Sequence, residues 1–196
     1  MPNWVKNQVR FIGEAESIEK LKNFIITNEE YIAALKQRNE GLAREFQIEV
    51  PVVGEVSFNI LVPTPTNIFQ GSLGKTEEEK YGKDNWHDWR LANWGCKWDA
   101  CETTFEDTDD GFEISFWTPW GVPEEWLEAV GSKATEIGGI DFIEGEFANE
   151  QLDMLMGYFS YDFDVECLNF SYSDYDAELY DAVWGEGCAA EMTEGL

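Results

Sequence analysis

From residue 99 to residue 196 the chain carries one lysine, Lys133, against 26 aspartates and glutamates, a net charge of -25, while residues 1–98 carry 12 Lys/Arg against 14 acids, a net of -2. A half-chain of this charge can fold only if its carboxylates stay in water and its apolar residues supply the core, because an unpaired buried carboxylate costs several kcal/mol. Such a core is available: 43% of the chain is hydrophobic and 15% aromatic, which excludes a disordered acidic tail. Solubility is served by a net charge of magnitude about 2–8 on a small domain. The excess therefore points to a partner. With the whole chain at -27, bare nucleic acid and anionic membranes are repelled over a Debye length of about 8–10 Å, and the expected macromolecular partner is basic.

The start Met1-Pro2-Asn3-Trp4-Val5-Lys6-Asn7 lacks an apolar secretory stretch, and no run of about 18 apolar residues could span a bilayer. A cytoplasmic protein is expected, with Cys96, Cys101, Cys167 and Cys188 as free, mostly buried thiols.

Hydrophobic periodicity predicts a strand over 4–13, a helix with Ile18, Leu21 and Ile25 on one face, and a more polar helix over 29–45. Val56, Phe58, Ile60 and Val62 alternate as in a strand until Pro63. A tryptophan-rich helix over 84–93 follows, then strands over 97–105 and 112–118 joined by the acidic turn Asp107-Thr108-Asp109-Asp110-Gly111. Pro123 with Glu124 and Glu125 opens a helix that Gly138-Gly139 ends; strands follow from Ile140 and over 154–166, then a last short helix over 174–183. The order predicts an α+β fold, an antiparallel sheet with helices on one face. Two parts are distinguished, a charge-balanced α/β part over 1–83 and an acidic part over 84–196, which can equally form one continuous domain.

The start with Trp4, Asn7 and Gly13, and the block Trp86-His87-Asp88-Trp89 followed by Asn93-Trp94-Gly95-Cys96-Lys97-Trp98-Asp99-Ala100, together resemble the YubB-type family of phages and conjugative plasmids. The resemblance covers most of residues 1–130. Val5 and Cys96 stand where that family typically has Cys and Thr. It implies a mobile-element origin and an α+β fold whose C-terminal part is ferredoxin-like. It carries over no catalytic residues, since the family's biochemical function is not established.

Seven tryptophans lie between Trp86 and Trp126, and aromatics among cations can stack bases, but only Arg90 and Lys97 accompany them against ten carboxylates. Burial is the expectation for Trp89, Trp94, Trp98 and Phe116. His87, Cys96 and Cys101 match no common zinc spacing. Asp107-x-Asp109-Asp110-Gly111 is no EF-hand either, with glycine fifth instead of sixth and Thr118 at the twelfth position. No cofactor and no metal is expected.

Spacing among the acids is more informative. Asp162, Asp164 and Glu166 recur at i, i+2, i+4, as do Asp174, Asp176 and Glu178, and Glu144 and Glu146 make a shorter pair. On a strand such residues share a face about 6.5–7 Å apart. Successive phosphates of one DNA strand are separated by about 6–7 Å, once the rise of about 3.4 Å is combined with rotation. With the charge imbalance of residues 99–196 and the mobile-element origin that the resemblance implies, the expected function is a non-enzymatic inhibitor, encoded by a phage or plasmid, that acts as an acidic DNA mimic. Its partner would be a basic nucleic-acid-binding complex of the host, such as a CRISPR effector or a restriction enzyme. The expected contact surface is Asp107, Asp109, Asp110, Glu144, Glu146, Asp162, Asp164, Glu166, Asp174, Asp176, Glu178 and Asp181. The alternatives are a metal-dependent hydrolase using the carboxylates between Asp107 and Glu113, and an acidic adaptor for a basic protein.

Overall fold

Val5, Asn7, Val9 and Phe11 alternate along β1, Trp4–Gly13, and all four are buried on one side of it. The computed structural model describes residues 3–194. After β1 come five α-helices, α1 Ala15–Lys22, α2 Glu29–Glu40, α3 Phe58–Leu61, α4 Lys75–Tyr81 and α5 Trp86–Trp94, with a 3-10 turn at Arg44–Phe46. The remaining elements are β2 Cys101–Thr108, β3 Gly111–Pro119, α6 Glu124–Ile137, β4 Ile140–Asn149, β5 Met156–Asp162, β6 Cys167–Ser173, α7 Ala177–Trp184 and α8 Cys188–Glu194. The strands form one sheet in the order β2-β3-β1-β4-β5-β6 with every neighbour antiparallel. The expected α+β fold with an antiparallel sheet is what forms.

The ferredoxin-like unit, strand-helix-strand-strand-helix-strand, runs β1-α1-β2-β3-α6-β4, with α2 to α5 inserted before β2. It begins at Trp4 and not after residue 83, because β1 pairs with β3 on one side and β4 on the other. The change of charge near residue 98 thus cuts across one shared core.

That core lies between the sheet and the helices α1, α3, α5 and α6. Phe112, Ile114 and Phe116 of β3 and Ile143 and Phe147 of β4 extend the buried side of β1. Trp126, Leu127, Val130, Gly131 and Ala134 recur at helical spacing on the inner face of α6. Phe58 sits among Trp94, Phe116 and Trp126, with ring centroids 5.8, 5.5 and 4.5 Å away. Each such fully buried side chain contributes about 1.5–3 kcal/mol relative to an exposed one.

Three expectations are corrected. Residues 56–62 make no strand: Val56 forms a single bridge with Ile26, and Phe58–Leu61 turns into a short helix. The cause is Asp99, whose carboxylate accepts from Ser57 Oγ (2.7 Å) and Phe58 N (2.6 Å) and so caps the turn. Helices do not keep to one face, because α7 and α8 cross to the other and bury Leu179, Tyr180, Val183 and Ala189 against Ala148 and Met156. Of the aromatic residues expected inside, Trp94 and Phe116 are buried but Trp89 and Trp98 are half-buried. Trp98 instead joins a second ring cluster on the far face, 5.7 Å from Trp4, which lies 6.1 Å from Trp117; Trp117 is 5.2 Å from Trp184.

Candidate functional site: an uncovered acidic sheet face

Side chains that alternate with the core residues point to the far side of the sheet, and α7 and α8 cover only the end nearest Trp4. There Gln8 Nε2 donates to Val183 O (3.3 Å) and Lys6 lies over the Trp184 ring. Beyond that contact the face is open. The register writes two rows across it: Glu106, Glu113, Arg10, Glu144, Ser160 and Asn169, and beside them Thr104, Ser115, Gln8, Glu146, Tyr158 and Ser171. Together they line a trough of about 820 Å³.

Its electrostatics are one-sided. Arg10 is the cation of these rows, and it is held by Glu113 (3.4 Å) and by Asp110 (3.6 Å) of the adjoining turn. Glu106 stands directly opposite Glu113, a like-charge pair that destabilises a hairpin. Glu146 is half-buried, and burial first, then the charge of Glu113, pushes its carboxyl above the ordinary range. Burial first, then Asp176, Glu146 and Glu178, pushes the Tyr158 phenol up. The N-terminus of α7 thus borders the same field.

The expected contact residues divide. Glu144 and Glu146 share the open strand face, about 6.5–7 Å apart. Asp109 and Asp110 form the two-residue turn between β2 and β3 at the same end of the sheet as the turn between β5 and β6, which carries Asp164 and Glu166. Asp107, opposite Phe112, lies on the helical side and is ion-paired with Lys22.

The two longer series are not rows on a strand. After Asp162 the chain reverses: the Asp162 carboxylate accepts from Asp164 N (2.9 Å) and Val165 N (3.3 Å), and Glu166 has φ +52°. Asp174 lies in the connection after β6, Asp176 caps α7 by accepting from Leu179 N (3.0 Å), and Glu178 is in that helix's first turn. Asp181 accepts from Ala189 N (2.7 Å) and so fixes α8 on α7.

Glu106 and Glu113 were not among the expected contact residues. The buried Phe112, Ile114 and Phe116 and the two-residue turn carry the signal, since together they fix that 106 and 113 face each other away from the core. In the same register Asp107 and Glu113 project from opposite sides of the sheet. Among the described residues no group of three or more His, Cys, Asp or Glu side chains could hold a metal ion. Cys96 is buried, and burial first, then the charge of Asp99, pushes its thiol up, away from thiolate chemistry.

Fold and site define an α+β protein on a ferredoxin-like frame with one uncovered, acidic sheet face. Its fold is similar to the crystal structure of a protein api92 from Yersinia pseudotuberculosis, of the DUF1281 family model, with a TM-score of 0.53 and 10% identity over 90% of this chain and 99% of that one. No family model matches the chain and no curated protein matches it. No helix among the described residues is long and apolar enough to cross a membrane.

Proposed function

We propose that the open sheet face docks onto the nucleic-acid groove of a basic host protein, so that the chain acts as a non-enzymatic inhibitor encoded by a phage or plasmid. The target class is a CRISPR effector or a restriction enzyme in the bacterial cytoplasm, and the mechanism is competition: Lys and Arg side chains that would neutralise phosphates meet fixed carboxylates instead. The observation that supports this reading is the row Glu106-Glu113-Arg10-Glu144 with Glu146 beside it, four carboxylates around one already paired arginine on the part of the face that α7 and α8 leave open. Such an arrangement costs stability, and a rigid sheet presents it with less ordering entropy lost on binding than a flexible acidic tail would lose.

The test is a panel of purified effectors and restriction endonucleases, each assayed for binding its own DNA with and without this protein. The expected result is loss of DNA binding by at least one member, relieved when Glu106, Glu113, Glu144 and Glu146 are changed together to Gln. A partner that binds the protein and its DNA at the same time would instead identify an adaptor.

A further inference from the structure

Phe142, Glu144 and Glu146 occupy alternate positions of β4 and face the open side, and on the next strand Tyr158 lies directly opposite Glu146. Phe142 is 59% exposed and Tyr158 47%. Most rings of the molecule pack on one another, as Phe11 does on Phe112 (4.5 Å) and Phe69 on Tyr81 (4.3 Å), and the exposed Phe105, opposite Ile114, lies on the helical side, whereas these two stand on the open face. Among the described residues neither Phe142 nor Tyr158 lies against another ring or beneath a cation. Folding therefore gains little from either ring, and each sits beside a carboxylate that has no ion-pair partner among the described residues.

The face also shows what such a position accepts. Its one guanidinium, that of Arg10, is held between Glu113 and Asp110. One strand further on, Glu144, which stands opposite Arg10 but is not ion-paired with it, and Glu146 repeat the carboxylates and add the two aromatic rings.

Carboxylates alone attract lysine and arginine alike. A ring next to a carboxylate discriminates, because a planar, weakly hydrated guanidinium lies flat on an aromatic face while its edge donates two parallel hydrogen bonds, whereas an ammonium holds its water. Residues directly opposite in an antiparallel pair have Cβ atoms about 4.5–5.5 Å apart, and a cation is attracted within about 6 Å of a ring centroid. One guanidinium over Tyr158 thus reaches Glu146. A second fits between Phe142 and Glu144, about 6.5–7 Å apart along the strand. A second copy of this chain is a poor occupant, since it brings the same charge of -27.

We propose that the half of the open face formed by β4 and β5 is a docking surface for arginine side chains of a partner protein, with Tyr158 and Glu146 seating one guanidinium and Phe142 and Glu144 a second. This inference rests on the function proposed above and names the partner's chemistry: a groove lined with arginine, not with lysine.

The test compares fluorescently labelled nine-residue oligo-arginine and oligo-lysine peptides, titrated by anisotropy against the full-length protein. The arginine peptide is expected to bind at least about fivefold more tightly at equal salt, the size of one or two cation–π contacts. In a Phe142→Ala/Tyr158→Ala variant that ratio should fall to within about twofold of unity, Tyr158→Trp should retain it, and Leu91→Ala on α5 should leave both affinities unchanged; circular dichroism checks each fold. Equal affinity for the two peptides in the wild type, or a ratio that survives the double variant, overturns the arginine inference and leaves the docking face standing. Failure of both peptides to bind at low salt overturns the arginine inference and the docking face alike.

Discussion

Glu106 and Glu113 stand directly opposite each other on the β2–β3 hairpin, and both project from the part of the sheet's far side that α7 and α8 leave open. Glu113 is partly relieved by Arg10 at 3.4 Å, while Glu106 has no ion-pair partner among the described residues. Removing the unrelieved charge should therefore stabilise the fold. Glu106→Gln is expected to raise unfolding free energy by about 0.2–1 kcal/mol, read as a higher urea midpoint at unchanged slope. Added salt should raise the wild-type midpoint and shrink the difference, because screening acts on exposed charge.

Gly131 shows the opposite sign from its helix propensity. Alanine is the better helix former by about 1 kcal/mol, yet a Cβ at this position would come 2.1 Å from the Tyr161 ring. Gly131→Ala should destabilise by about 1–3 kcal/mol, the usual cost of overpacking, and thermal unfolding measures it. Pairing it with Tyr161→Leu should recover part of the loss.

The pH dependence follows from two carboxyls pushed up. Burial raises Asp99 despite its bonds from Phe58 N, Ser57 Oγ and Ala100 N, and burial with Glu113 raises Glu146. A folded-state pKa above the unfolded one contributes stability that is present below the unfolded value and is lost as pH rises through the folded one. Stability should accordingly increase as pH is lowered from 7 to about 5, and less so in Glu146→Gln. Below about 4 the trend should reverse, because Lys20 holds Glu16, and His87 with Asn85 hold Asp88, below the ordinary range, and protonation there forfeits those bonds. A stability that falls steadily from pH 7 to 5 would contradict this assignment.

The β5–β6 turn depends on one side chain. Asp162→Ala removes both acceptor contacts to Asp164 N and Val165 N, each contributing about 0.5–1.5 kcal/mol net. Amide exchange in residues 161–168 should accelerate while the amides of β1 stay protected.

That turn also explains what could be read from the chain and what could not. Strand β1, helix α6 and the β2–β3 hairpin are legible because Val5-Val9-Phe11, Trp126-Val130-Ala134 and Asp109-Asp110 each carry an unambiguous period or turn. Phe163-Asp164-Val165-Glu166 contains no Gly, Pro or Asn, and its alternation continues that of β5, so the reversal and the strand after it are hidden; a carboxylate and a positive φ at Glu166 make the turn. The Val56–Val62 alternation misleads because Asp99, some 40 residues away, caps Phe58. Glu144 and Glu146 were legible as a pair. That Glu106 and Glu113 of the hairpin lie beside them was not, because it depends on the strand order β2-β3-β1-β4, in which β1 separates β3 from β4.

The central claim is that charge on the open face, not charge in general, drives binding. The most direct measurement is the affinity of a responsive effector or endonuclease for two quadruple variants of equal charge change, Glu106, Glu113, Glu144 and Glu146 to Gln against Glu16, Glu77, Glu78 and Glu79 to Gln, at about 50 and 200 mM salt. The open-face set should weaken binding by tenfold or more at the lower salt and flatten its salt dependence, with the other set within about twofold of wild type. Equal losses from the two sets, or a salt dependence unchanged by the first, would contradict the account.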